Sequence, residues 1–187
     1  EFYNAINYID EMFSIIDSDE MAYGFNDIIN LVKDEKVIIT DPYNELKHDM
    51  SQYGSRQDLY IEDLCGDIRR YCKKHKKHWI LTLHPSNQIP VTDKSGLRYY
   101  PMPMAREAAG GQALFRKAMT WINLWRPPVG FNDENGMPYE DNVILIHIEK
   151  AKPKGVAVKG QTKLFFNWKK NRYYEFPILY AFEHEKY

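Results

Sequence analysis

Two apolar runs in this chain each end on a side chain that could do chemistry. Val37-Ile38-Ile39-Thr40 runs into Asp41, and Trp79-Ile80-Leu81-Thr82-Leu83 runs into His84. The β-branched residues at consecutive positions predict a strand of a parallel sheet covered on both faces. In open parallel sheets, ligands gather at the carboxyl ends of the strands. An aspartate placed there can hold Mg²⁺ through a water beside a nucleotide's phosphates. A neutral imidazole at the same rim can donate to a phosphate oxygen and register the γ-phosphate. Taken singly, the aspartate serves equally well as a turn or cap residue, and the histidine as the end of a strand before Pro85.

What joins the two is the segment between them. Residues 56–77 form the longest helical pattern in the chain, with Leu59, Ile61, Leu64 and Ile68 on its apolar side and lysines crowding its end. Strand, helix and strand then make one right-handed βαβ unit, which must end both strands on one edge. The remaining elements fall around that unit. Helices are expected at 3–13 and 25–32, the second capped near Gly24–Asn26, with a short strand and turn over 15–20. Residues 85–104 form a long polar loop rich in proline. A weak helix carrying Gly110–Gly111 follows, then strands at 119–126 and 142–151. A hairpin pairs 162–169 with 172–176 across the Lys170-Asn171-Arg172 turn. The pattern predicts an α/β fold: a mostly parallel sheet flanked by helices, finished by antiparallel edge strands.

Composition sets the outer bounds. The chain has 187 residues, 44% hydrophobic and 27% charged, the profile of one ordinary globular domain. Its net charge is −1, but that charge is unevenly spread. Residues 1–49 hold twelve acids against three lysines, while residues 150–172 hold eight bases and no acid; such a run is more often a solvated charged surface, and otherwise a face that could meet a polyanion. Cys65 and Cys72 sit seven apart on one helical pattern and read as two packed thiols of a cytoplasmic protein. No run is long and apolar enough to span a membrane. His75 and His78 lie among four lysines, a poor setting for a metal cation. The sequence begins in mid-pattern, as expected of a piece of a longer protein.

The order of Val37–His48, the helix ending Cys72–Trp79, Ile80–Pro85, Gly110–Arg126 and Ile148–Gly155 resembles the ring-forming replicative helicases with RecA-like motors. These are DnaB, the mitochondrial Twinkle helicase and phage primase-helicases; Asp41-Pro42-Tyr43-Asn44-Glu45-Leu46 is nearest the Twinkle-like and phage branch. The resemblance covers about Asn30 to Glu175. It implies that Asp41 is the Walker B aspartate ordering Mg²⁺, that His84 occupies the γ-phosphate sensor position, and that Lys152 stands at the finger reaching a neighbouring subunit's ATP. Arg126 and Phe166 would sandwich the adenine, with Lys150 beside the nucleotide. Lys94 and Arg98 in the 85–104 loop, and Gly110, Gly111 and Gln112, would face single-stranded DNA in the central channel.

Some residues depart from that pattern. Gly110–Gly111 replaces the family's usual Gly-Ser, Met119 stands where an acid is common, and Lys152 cannot make an arginine's planar bidentate contact. No glycine is followed by Lys-Ser or Lys-Thr, so the phosphate loop GxxxxGK[ST] is missing, and with it the catalytic glutamate. Both are expected upstream of Glu1, making residues 1–187 a single partial RecA-like domain. Without the phosphate-loop strand, the strands containing His84 and Trp121 should pair directly or recruit another chain.

The expectation is therefore part of an ATP-dependent, single-strand-translocating DNA helicase from a phage or mobile element. The intact protein would bind ATP or another NTP with Mg²⁺ and form a ring, commonly a hexamer. This piece alone would hold no cofactor tightly and turn over little ATP. The rivals are another RecA-like ATPase of recombinase or plasmid-replication type, and a degenerate, non-catalytic nucleic-acid-binding or assembly module.

Overall fold

A computed structural model of the chain describes residues 2–17, 21–32, 34–108, 110–155 and 158–175. They divide into two compact units, residues 1–84 and 85–187, each described by itself. Both mix helix and strand, so the protein is a mixed α/β molecule with four α-helices among the described residues.

In the first unit, α1 (Phe2–Met12) follows the expected helical spacing, yet Ile6, Ile9 and Met12 lie exposed. The strand expected over 15–20 does not form at 15–17, which has no regular structure, and 18–20 lies outside the described residues. Helix α2 (Phe25–Leu31) starts where predicted. The Asp27 carboxylate reaches back to accept the Gly24 N–H at 2.8 Å, satisfying one of the donors a helix start leaves open. Strand β1 (Val37–Thr40), a 3-10 turn (Tyr43–Glu45), α3 (Gln57–His75) and β2 (His78–Leu81) complete the unit. Lys76 adopts φ 55°, and the N–H of Lys77 bonds the Cys72 carbonyl at 3.0 Å, so the helix ends in a left-handed residue and the chain turns directly into β2.

Strands β1 and β2 pair in parallel, Val37 with His78 through Thr40 with Leu81. The βαβ unit is therefore formed. Its sheet, however, is not covered on both faces. Ile38 is buried, while Val37, Ile39 and Ile80 are 50%, 60% and 49% exposed. Trp79 is stacked on Phe25 at 5.5 Å and meets Tyr71 edge-on at 6.2 Å, tying α2 and α3 to the covered face. Its indole N–H donates to Thr40 Oγ1 at 3.0 Å, so the one polar side chain β1 buries is satisfied across the pair.

The second unit is an antiparallel sheet in the order β5 (Thr120–Trp125), β6 (Val143–Ala151), β7 (Gly160–Asn167), β8 (Arg172–Tyr174). Its core is Val143, Leu145 and Phe165, with Met102, Trp125 and Tyr139 packed against them. Strand alternation sends Ile122 and Leu124 to the opposite face, where both are exposed. The β7–β8 hairpin forms as expected. Its turn is held by Asn167 Oδ1, which accepts the N–H groups of Lys169 and Lys170, and by Asn171 at φ 50°. Phe176, assigned to the hairpin from sequence, lies outside the described residues.

Two expectations are corrected. Among the described residues the strands form separate parallel and antiparallel sheets, not one mostly parallel sheet, and of the two ways the His84 and Trp121 strands were expected to close, direct pairing is not formed: β2 is bonded to β1 and β5 to β6. The 85–104 segment is also not featureless. Strands β3 (Val91–Thr92) and β4 (Arg98–Tyr99) make a small hairpin, because Asp93 Oδ1 accepts the N–H groups of Ser95 and Leu97 and closes the turn. The excursion ends where it began, since Ser86 and Asn87 donate to the Glu107 carbonyl at 2.8 and 3.1 Å. That closure is the hallmark of a compact surface loop.

Candidate functional site

Two of the sequence-derived residues, Asp41 and His84, lie at the rim of the parallel pair. β1 and β2 end in register, so Asp41 and Thr82 are the first residues past a common edge. His84 follows two residues later on the same strand exit, and both Asp41 and His84 are exposed. The segment after Asp41 is firmly anchored. The Tyr43 N–H donates to the Thr82 carbonyl at 2.9 Å and the Thr82 N–H to the Thr40 carbonyl at 3.0 Å, extending the ladder around the aspartate. Thr82 Oγ1 donates to Asp41 Oδ1. Glu45, a weaker candidate for general base, lies exposed in the 3-10 turn.

Beneath the rim sits a ring cluster that sequence reasoning did not pick out. Tyr43 is 2% exposed, and its hydroxyl has no hydrogen-bond partner. Burial, with Tyr60 and Cys65 adding to it, pushes the phenol far above its ordinary range. The Tyr43 ring lies 4.7 Å from that of His48, whose Nδ1 is 3.0 Å from the Tyr60 hydroxyl. Burial holds the His48 imidazole below its usual value, although a hydrogen bond to the Tyr43 backbone opposes it. The available signal was the pattern Tyr43-x-x-x-x-His48 facing Tyr60 on the next helix, which only a known turn geometry would have revealed.

The other candidates belong to the second unit. Arg126 directly follows β5 and is exposed; Phe166 lies on β7 and meets Tyr173 at 4.9 Å. Trp125 pairs with Leu145, and the Phe166 N–H bonds the Asn142 carbonyl, so both residues flank the start of β6. Lys150 is at the far end of β6, about 20 Å along the strand from Ile144. It is 8% exposed, with its ammonium donating to the carbonyls of Phe115 and, at 3.0 Å, Arg116. These carbonyls lie in the last turn of α4 (Gly111–Lys117), so Lys150 caps a helix C-terminus. Burial, then the nearby charges of Lys152 and Lys159, lower its pKa. Lys152 and Lys154 remain exposed on the connection after β6.

Lys94 sits in the exposed β3–β4 turn and Arg98 is exposed on β4. The glycine pair has a backbone explanation of its own. Gly110 takes φ 66° at the start of α4, and a Cβ on Gly111 would fall 1.6 Å from the Ala105 carbonyl oxygen. Gln112 is exposed on the first turn of that helix.

Asp41 can serve a magnesium ion in one respect: Mg²⁺ keeps most of its waters and is commonly held by one or two carboxylates plus the phosphates of a substrate. Among the described residues no three or more His, Cys, Asp or Glu side chains cluster as metal ligands, so a cation held by protein groups alone has no cage here. No described helix is long and apolar enough to cross a membrane. Compared with known protein families and with curated proteins, the chain gives no match.

Proposed function

We propose that the chain is part of a nucleotide-driven, ring-forming replicative DNA helicase with a RecA-like motor, of the DnaB, Twinkle and phage primase-helicase kind. In the intact protein Asp41 would hold a water of the Mg²⁺ that accompanies ATP or another NTP. His84 would donate to the γ-phosphate and pass its state to the 85–104 segment. Lys152 would reach the nucleotide of a neighbouring subunit, with Arg126 and Phe166 on either side of the adenine. Lys94 and Arg98 would contact the phosphates of single-stranded DNA. The observation supporting this reading is that Asp41 and Thr82–His84 leave adjacent parallel strands at one edge, the arrangement a phosphate-binding rim requires.

The nucleic-acid half of the reading is tested on the chain as it stands. Fluorescence anisotropy of a labelled oligodeoxythymidylate should report binding that weakens steeply with salt. The double variant Lys94→Ala/Arg98→Ala should lower the slope of log affinity against log salt by roughly 1–2. An unchanged slope removes the 85–104 segment from the DNA path.

A further inference from the structure

Thr82 was not among the residues that the sequence singled out, yet both its backbone and its hydroxyl bond the Asp41 segment. Its N–H and carbonyl bracket the aspartate, bonding Thr40 at 3.0 Å and Tyr43 at 2.9 Å. Its hydroxyl donates to Asp41 Oδ1, with the Thr40 carbonyl at 3.5 Å as a more distant alternative. We propose that Thr82 is the positioning residue of Asp41: it holds the carboxylate in one rotamer by occupying Oδ1, which leaves Oδ2 to accept a proton of a cation-bound water. The inference rests on the reading of Asp41 as the aspartate that serves the nucleotide's cation.

The physical reason is preorganisation. Asp41 is exposed, and an exposed carboxylate samples several rotamers unless something fixes it. Threonine suits the task because its β-branched side chain is itself stiff at χ1, and its position is set by two ladder bonds. A group held in its working geometry before the ligand arrives does not lose that freedom on binding. The same three-residue exit carries His84, so the hydroxyl that orients the acid and the imidazole that would meet the γ-phosphate sit on one short segment.

The test uses the 187-residue chain with Thr82→Val, which keeps the shape and removes the hydroxyl, and Thr82→Ser, which restores it. Three-bond couplings to the Asp41 carboxyl carbon report its χ1 directly. The wild type and Thr82→Ser should show one rotamer, and Thr82→Val an average of several. The amide signals of Tyr43 and Thr82 check that the ladder survives. Mn²⁺, added alone, should broaden rim signals around Asp41, and its apparent affinity should fall about three- to tenfold in Thr82→Val but not in Thr82→Ser. A single Asp41 rotamer in Thr82→Val overturns the positioning role. If Mn²⁺ broadening in the wild type does not centre on Asp41, and Asp41→Asn leaves it unchanged, the cation reading fails, while the rotamer couplings still decide the role of Thr82.

Discussion

The two units solve the problem of placing polar groups in different ways. The first uses a two-stranded parallel pair whose interior is supplied by neighbouring helices: Ile28, Ile38, Ile61 and Leu64 are buried around a sheet only four residues deep. Its chemistry-bearing residues lie beyond the strand ends, where the ladder stops. The second unit uses a four-stranded antiparallel ladder with its core on one face, and its polar groups lie within the strands. Trp121 donates to Asn123 at 2.7 Å, and Asn123 to Glu149 at 2.8 Å, across β5 and β6. An aspartate at a strand end keeps its solvation and can exchange ligands. Asn123, buried in the ladder, has both ends of its amide bonded and becomes part of the scaffold. The lesson applies to lysines as well: Lys150 is held by helix carbonyls, while Lys152, two residues on, is exposed.

The sharpest way to break that comparison is to empty one core and watch the other. Phe165→Ala should destabilise the antiparallel unit by about 3–5 kcal/mol, as deleting a fully buried aromatic does. Urea titration followed at Trp125 should register the loss, while signals from Trp79 hold. Simultaneous loss of both sets of signals would show that the two units unfold as one.

A smaller effect is expected at the junction into α4. Gly111→Ala forces a methyl into the Ala105 carbonyl oxygen, so the 3-10 turn or the helix must move, at a cost of roughly 1–3 kcal/mol. The amides of Ala105–Ala108 should lose protection from hydrogen exchange before those of β6 do. Normal protection in this variant would mean that the glycine pair is kept for a ligand and not for backbone clearance.

The smallest effect belongs to His48. Its pKa is lowered by burial, so between that depressed value and the ordinary 6.5 the unfolded chain binds more protons than the folded one. Stability therefore rises with pH through that window and is lost as the pH falls back through it. Partial exposure of the residue keeps the effect small. A modest fall in the urea midpoint of the first unit from pH 7 to pH 5, absent in His48→Asn, is the expected result.

Much of this molecule can be read from residue order. The α3 helix follows from its apolar stripe and lysine-rich end, and β1 and β2 from β-branched and aromatic runs. Their parallel pairing follows because one helix connects them, since a strand–helix–strand connection leaves few other arrangements. The β7–β8 hairpin was legible for a similar reason: its turn chemistry is local. These features depend on neighbours within a few residues or on one short connection.

What required the folded chain were the partners chosen across long separations. Val37, Ile38 and Ile39 form a continuous apolar run, but only Ile38 is buried, because coverage depends on what packs above a sheet and not on the strand's own composition. Thr82 looks like one more residue of an apolar strand until register sets it opposite Asp41. Lys150 looks like one base in a run of eight until the end of α4 arrives above it. Sequence determined which residues were able to take part; tertiary register determined which atoms meet, since hydrogen bonds form over about 3 Å and no local pattern specifies position that finely.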